Sequence, residues 1–348
     1  MADIREIKTF IGYKKQTGLQ TALVAADGWS LRQTNRTPGQ PEFQTEDDKD
    51  DLGKGTPFAT QVFKTSAGAG FPWEARLTSE NAAMLAVFGI GLNAKTAADT
   101  GFKYACKPSV LLTAAPDMPA TTIVQAIRQG GSDVFDIGLI GMCCEEFTIS
   151  LNSGPGRDNA TMRSQWVGCG KYANPSTITI PTVTTEHSLQ AGSATAITIN
   201  GVNYLSNARF FNFEFNYKNN IRLDAGYYPG SGTQNGFNLR GRMWRGDPAV
   251  TAKITALFEN GSTELDDFIA QTEGTGRITI TGALLTGSVT HYNLLDLQLH
   301  RIVTKNVQIG DQDGLVSVSA DLACLEHSSN GVLQLDVQTL QDNIGTAA

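Results

Sequence analysis

Few residues in this chain could do covalent chemistry. His187 lies in a polar stretch, His291 and His300 flank one expected strand, and His327 follows another. No Gly-x-Ser-x-Gly elbow accompanies them, so they read as surface or structural residues. Gly53-Lys54-Gly55 lacks both the upstream Gly and the following Ser/Thr of a phosphate-binding loop. The acidic run Glu46, Asp47, Asp48, Asp50 and Asp51 offers the oxygens that hard cations take, but not in the alternating order of a Ca²⁺ loop. A solvated loop or an electrostatic contact is the expectation there. Asp311-Gln312-Asp313-Gly314 is explained as a turn between two strands. The five cysteines, Cys106, Cys143, Cys144, Cys169 and Cys324, lack zinc-ligand spacing and read as reduced, partly buried residues. The reading is therefore of a protein that is not an enzyme and carries no cofactor and no metal.

Binding chemistry is better represented. Arg240, Arg242 and Arg245 form the one basic cluster, expected to meet an acidic loop of a neighbouring subunit rather than DNA. Phe211, Phe213, Phe215 and Tyr217 alternate with Asn212, Glu214 and Asn216, the period-two pattern of a strand with one wet face, and are expected in the core. The formal net charge of −7 argues against a protein that grips nucleic acid by neutralising phosphates. It suits one that lets nucleic acid pass. No run approaches about 18 apolar residues, so no membrane span is expected.

These residues need a scaffold, and 348 residues allow two domains. Residues 1–24 read as an N-terminal arm, 25–172 as a first domain, 173–195 as a linker, 196–328 as a second domain and 329–348 as a C-terminal tail. Ser79 and Ser262 are expected to cap one short helix in each domain. Strand 210–217 is matched with the segment at Trp29, loop 218–237 with loop 35–57, and the return 239–258 with 58–77, where Ser66 to Gly70 is expected to break the strand. Ile278 to Leu284, His291 to Leu299 and Leu315 to Leu325 are matched with 122–127, 134–140 and 160–167. Residues 93–119 read as an irregular insertion unique to the first half. The order points to a tandem duplication.

Phe213-Glu214-Phe215-Asn216-Tyr217-Lys218-Asn219-Asn220 leading to Gly230-Ser231-Gly232, then a helix and closing hairpins, resembles the major tail tube proteins of long-tailed bacteriophages. Gly12-Tyr13-Lys14-Lys15-Gln16-Thr17-Gly18, Thr148-Ile149-Ser150-Leu151 and Gly168-Cys169-Gly170 resemble the same family. The resemblance implies a mainly β fold of two tandem β-sandwich or barrel domains, each flanked by one short α-helix. It implies stacked rings, of three chains each for a duplicated member, that enclose a conduit for double-stranded DNA passing without specific binding. Tape-measure, tail-terminator and baseplate proteins are the implied partners, in a virion tail assembled in the host cytoplasm. Inter-ring contacts are expected from the acidic run and from Asn220, Arg222, Asp224, Tyr227 and Tyr228, and a negative lumen is expected to repel phosphates. The alternatives are another virion ring protein of the same fold, at the baseplate or tail completion, and a two-domain carbohydrate-binding β-sandwich.

Overall fold

The computed structural model describes residues 5–24, 27–32, 40–48, 61–108, 118–129, 132–154, 160–173, 188–206, 209–228, 230, 232–234, 237–259, 262–312 and 314–348. The first half holds β1 (Arg5–Gly12), β2 (Trp29–Arg32), β3 (Gln40–Asp48), β4 (Gln61–Arg76), helix α1 (Ser79–Leu85) with a wider turn over Ala86–Ile90, β5 (Leu92–Ala98), β6 (Gly101–Cys106), β7 (Thr121–Gln129), β8 (Ser132–Asn152), β9 (Ala160–Gly168) and β10 (Tyr172–Ala173). The second holds β11 (Ala194–Ile199), β12 (Val202–Asn203), β13 (Phe210–Lys218), β14 (Thr233–Gln234), β15 (Phe237–Asn238), β16 (Ala249–Leu257), α2 (Glu264–Ala270), β17 (Glu273–Leu284), β18 (Tyr292–Gln312), β19 (Leu315–Cys324) and β20 (Leu333–Thr339). The protein is mainly β.

The two halves repeat one pairing scheme. β1 pairs with β2 and β7 as β11 pairs with β12 and β17. The 21-residue strands β8 and β18 each carry two partners at their start, β7 and β10 or β17 and β20, and one hairpin partner at their end, β9 or β19. Next come β4 and β16, then β3 and β13. The halves are joined where β13 pairs with the end of β8, placing Phe215 opposite Ile149. One sheet thus runs β3-β4-β9-β8-β13-β16-β19-β18. Its inward side chains (Trp73, Trp166, Phe147, Phe213, Phe215, Tyr217, Ile254, Leu322) form a single core with α1 and with the strands that pair to the starts of β8 and β18. Phe147 stacks on Tyr217 with centroids 5.7 Å apart and lies 6.0 Å from Phe215 across the joint. Aromatic pairs of this kind add about 0.5–1.5 kcal/mol to their area burial.

Several expectations change. The strand occupying β13's place in the first half is β3, not the segment at Trp29, which becomes β2 and pairs with β1. β4 runs unbroken through Ser66 to Gly70; a Cβ on Gly68 would lie 2.9 Å from the Arg240 guanidinium, so its glycine makes room rather than a break. The segments expected at 134–140 and 146–151 are one strand, bulged between Cys144 and Glu146. Thr78 caps α1 through its Oγ1, accepting from the Asn81 N–H at 3.2 Å, while Ser79 donates to Asn293 Oδ1 at 2.8 Å. Ser262 does not cap α2; its Oγ accepts from the Glu259 N–H at 2.9 Å and from Arg209 at 2.8 Å.

The stretch 93–119 is not irregular over its described part: β5 and β6 form a hairpin, and β6 extends the second half's sheet by pairing with β20, Leu335 opposite Cys106. That partner is far away in sequence, which is why local pattern missed it. In return the C-terminal segment crosses to the first half. Gly345 N donates to Tyr13 O at 2.8 Å, Ala348 N to Lys15 O at 3.0 Å, and Ile344 is buried. The linker expected at 173–195 falls largely on residues 174–187, outside the described residues, as do His187 and Gly53-Lys54-Gly55.

Candidate assembly surfaces

The face of the long sheet turned away from the core is built from polar residues in continuous cross-strand rows. One row runs Glu74, Arg163, Thr148, Asn216, Thr251; another runs Arg76, Thr161, Ser150, Glu214, Lys253, Asp321, Asn306. A third places Gln165, Glu146 and Lys218 side by side, and a fourth carries Asn152, Asn212, Thr255, Ser319 and Gln308. The period of two puts all of these on one side because the inward positions take the aromatics. In these rows Glu74, Glu146, Glu214 and Asp321 stand against Arg76, Arg163, Lys218 and Lys253. Arg163 Nε lies 3.2 Å from Glu74, Lys218 Nζ 3.7 Å from Glu146 and Lys253 Nζ 3.6 Å from Asp321. Asn216 Nδ2 also donates to Glu146 Oε1 at 2.7 Å. At the bulge, burial pushes the Glu145 carboxyl up and Lys218 pulls it back.

The second half exposes what the first half covers. Ile149 and Ile309 both lie four residues past the bulged residue of their strand, Glu145 or Lys305, yet Ile149 is 2% exposed and Ile309 52%. Likewise Ala160 of β9 is 0% exposed and Val316 of β19, at the same register, 52%. Helix α1 is wholly buried, held by the second half through Ser79–Asn293 and through Thr339 Oγ1 donating to Glu80 Oε1 at 3.3 Å. Leu265 and Ile269 of α2 point into solvent. The difference has one cause: β13, β18 and β20 lie over the first half, and no described residue lies in that place over the second. Among the described residues no strand pairs with the outer edge of β18 beyond Thr304 or with that of β3.

The excursion between β13 and β16 does not project freely. Ile221 and Met243 pack with Met118, Ala120, Cys143 and Val167 at one rim of the sheet, and Asn238 bridges to Ser66 of β4. Of the expected contact residues, Tyr227 Oη donates to Ala67 O at 2.7 Å and Tyr228 is exposed over Gly241. Asn220 Nδ2 donates to Asp247 O at 2.6 Å, the Arg222 backbone bridges to Trp244, and Asp224 is exposed in a short turn. Arg240 donates to Gly168 O at 2.8 Å and Leu223 O at 3.1 Å and stacks over Tyr227, 5.0 Å from its centroid. Arg245 donates to Gly89 O and Ile90 O at 3.1 and 3.0 Å. The three arginines are thus not one surface cluster: Arg240 and Arg245 are used inside the chain and Arg242 is exposed. Glu46, Asp47 and Asp48 end β3 on the same rim, while Asp50 and Asp51 lie outside the described residues.

At the expected turn Asp311-Gln312-Asp313-Gly314, Gly314 N donates to Asp311 Oδ1 at 3.1 Å and Gly314 has φ 80°, while Asp313 lies outside the described residues. The five cysteines form no disulfide; burial pushes the Cys169 thiol up to about 11 and Cys324 up to about 12. Sequence reasoning missed the uncovered faces of α2 and β18. Their signal is the apolar Leu265, Ile269, Ile309 and Val316 at positions without a core to face. A family model described as phage tail tube protein matches residues 7–324. No curated protein matches the chain.

Proposed function

The chain belongs to the phage tail tube protein family, a family of structural proteins of the virion tail, and on that premise we propose that three copies close head to tail into a ring and that rings stack into a DNA conduit. One observation carries the reading: Ile309, Val316, Leu265 and Ile269 are exposed where their first-half counterparts are buried by the chain's own second half. A neighbour's first half, seated there as this chain's second half is seated on its first, covers all four at once and adds β3 to the open edge of β18. Such a contact is heterologous and generates a ring when its rotation closes.

The dimensions support it. Three eight-stranded sheets give 24 strands, which at about 4.8 Å spacing and a tilt of about 40° close a barrel of roughly 24 Å radius. The bulky second layer lies on the apolar side of the sheet and goes outside, so the polar rows line the bore. The rim bearing the end of β3 and the 219–248 excursion offers Asp224, Tyr228 and Arg242 to the next ring. Tape-measure, terminator and baseplate proteins would meet the two ends of the stack, assembled in the host cytoplasm.

Negative-stain microscopy with light scattering tests this. Hollow tubes, or rings with the mass of three chains, are expected; a protein that stays monomeric even when seeded with tail tips overturns it.

A further inference from the structure

Three of the four cations in the polar rows share one arrangement. Arg163, Lys218 and Lys253 each lie directly across a strand pair from a carboxylate, Glu74, Glu146 and Asp321, and each is within ion-pair distance of it. Register fixes these pairs: the strand ladder holds both backbones, so neither partner has to be recruited. We infer that these three carboxylates act as guards, withholding Arg163, Lys218 and Lys253 from nucleic-acid phosphates; this rests on the ring reading, which turns the face toward the bore.

Carboxylate and phosphate compete for the same cation. Protein binds DNA chiefly by replacing condensed counterions with Lys and Arg. A cation already neutralised by a carboxylate releases no net counterion when a phosphate approaches, because the carboxylate must then take up a cation of its own. Between the pairs Thr148, Ser150, Asn212, Thr255 and Ser319 are neutral, Thr255 and Ser319 bond each other at 2.9 Å, and Glu214 faces Lys253 from the strand opposite Asp321. A wall of this kind neither grips a double helix nor confronts it with a sheet of bare negative charge. Non-adhesion here comes from pairing rather than from the chain's overall acidity.

The test removes the guards and leaves the cations. Glu74→Gln, Glu146→Gln and Asp321→Asn are combined, and binding of a short fluorescent duplex DNA is followed by anisotropy against salt, on assembled and on unassembled protein. The triple variant is expected to bind about ten-fold or more tighter than wild type at low salt, with a salt slope of roughly −0.9 per uncovered cation; Lys253 keeps Glu214 across from it, so Arg163 and Lys218 are the cations uncovered outright. Adding Arg163→Gln, Lys218→Gln and Lys253→Gln should abolish that binding. Should the triple variant fold poorly by circular dichroism, Glu146→Gln alone is read the same way. A folded variant that binds no better than wild type, or wild type that binds the duplex as tightly as the variant, overturns the inference. Because the face is exposed in the single chain, the duplex assay decides the guard role even where no tubes form, an outcome that counts against the ring reading instead.

Discussion

Ile309 opposes Val318 as Ile149 opposes Met162, so the two isoleucines hold equivalent places in β18 and β8 while only Ile149 has Phe215 on its other side. The pair separates folding from assembly. Ile149→Asp puts a charge into the shared core and is expected to cost more than about 4 kcal/mol, enough to leave little folded protein. Ile309→Asp faces water in the single chain and should leave the thermal midpoint within about 2 °C of wild type, yet abolish rings and tubes in negative stain. Intact tubes from the Ile309 variant would count against its edge as the ring contact.

Arg240 and Arg242 are two residues apart and should behave oppositely. Arg240→Ala leaves Gly168 O and Leu223 O without their charged donor and removes the contact over Tyr227. Hydrogen bonds to charged groups contribute about 1.5–3 kcal/mol each, so a loss of about 2–4 kcal/mol is expected in urea unfolding. Arg242→Ala should change stability by less than about 0.5 kcal/mol. A cost for Arg242 equal to that for Arg240 would contradict the placement of the two side chains.

Much of this was legible in sequence because the code is local where strands alternate. Phe213, Phe215 and Tyr217 turn inward, as their spacing requires, while Phe211 falls in the register shift between Phe210 and Asn212 and is half-buried; the described strands of the two halves follow one pairing order. What stayed hidden was non-local. Nothing near Leu92 to Cys106 announces that β20, some 230 residues later, supplies the edge that makes those residues a hairpin. Arg240 and Arg245 read as surface charges because their acceptors are backbone carbonyls, which carry no sequence signature. The swap of β3 for β2 as the counterpart of β13 has the same origin. A polar segment containing Pro41 has weak strand propensity and is made a strand by β4 beside it.

Beside α2, Arg209 and Glu264 form a buried pair at 3.0 Å, and Tyr204 Oη donates to the same carboxylate oxygen at 2.9 Å. Burial and the Glu264 charge push the Tyr204 hydroxyl well above its ordinary range, so it stays a donor. Glu264→Leu strands a buried guanidinium and should cost about 3–5 kcal/mol. The double variant Arg209→Met/Glu264→Leu should recover much of that, because removing both charges removes the desolvation burden. A thermodynamic cycle by urea titration measures the coupling; additive single costs would mean that the pair is not coupled.

Asp296 supplies the acid-side prediction. Burial raises its carboxyl, but Arg277 at 2.9 and 3.1 Å, Thr279 at 2.7 Å and Gln298 at 2.8 Å outweigh burial and hold it below its ordinary value. It does this although Asp336, itself held by Lys103 at 2.8 Å, stands directly opposite on β20. A carboxyl depressed in the folded state contributes stability that is fully present above its unfolded value, about 3.9. That contribution is lost as pH falls through the folded value. Asp296→Asn should therefore be less stable than wild type near neutrality, and its stability should fall less steeply below about pH 4. Urea unfolding followed across that range reads both limbs. If wild type and variant lose stability in parallel on acidification, the Arg277–Asp296 contact makes no contribution to folding, and the second half's outer sheet is held by its strand ladder and core alone.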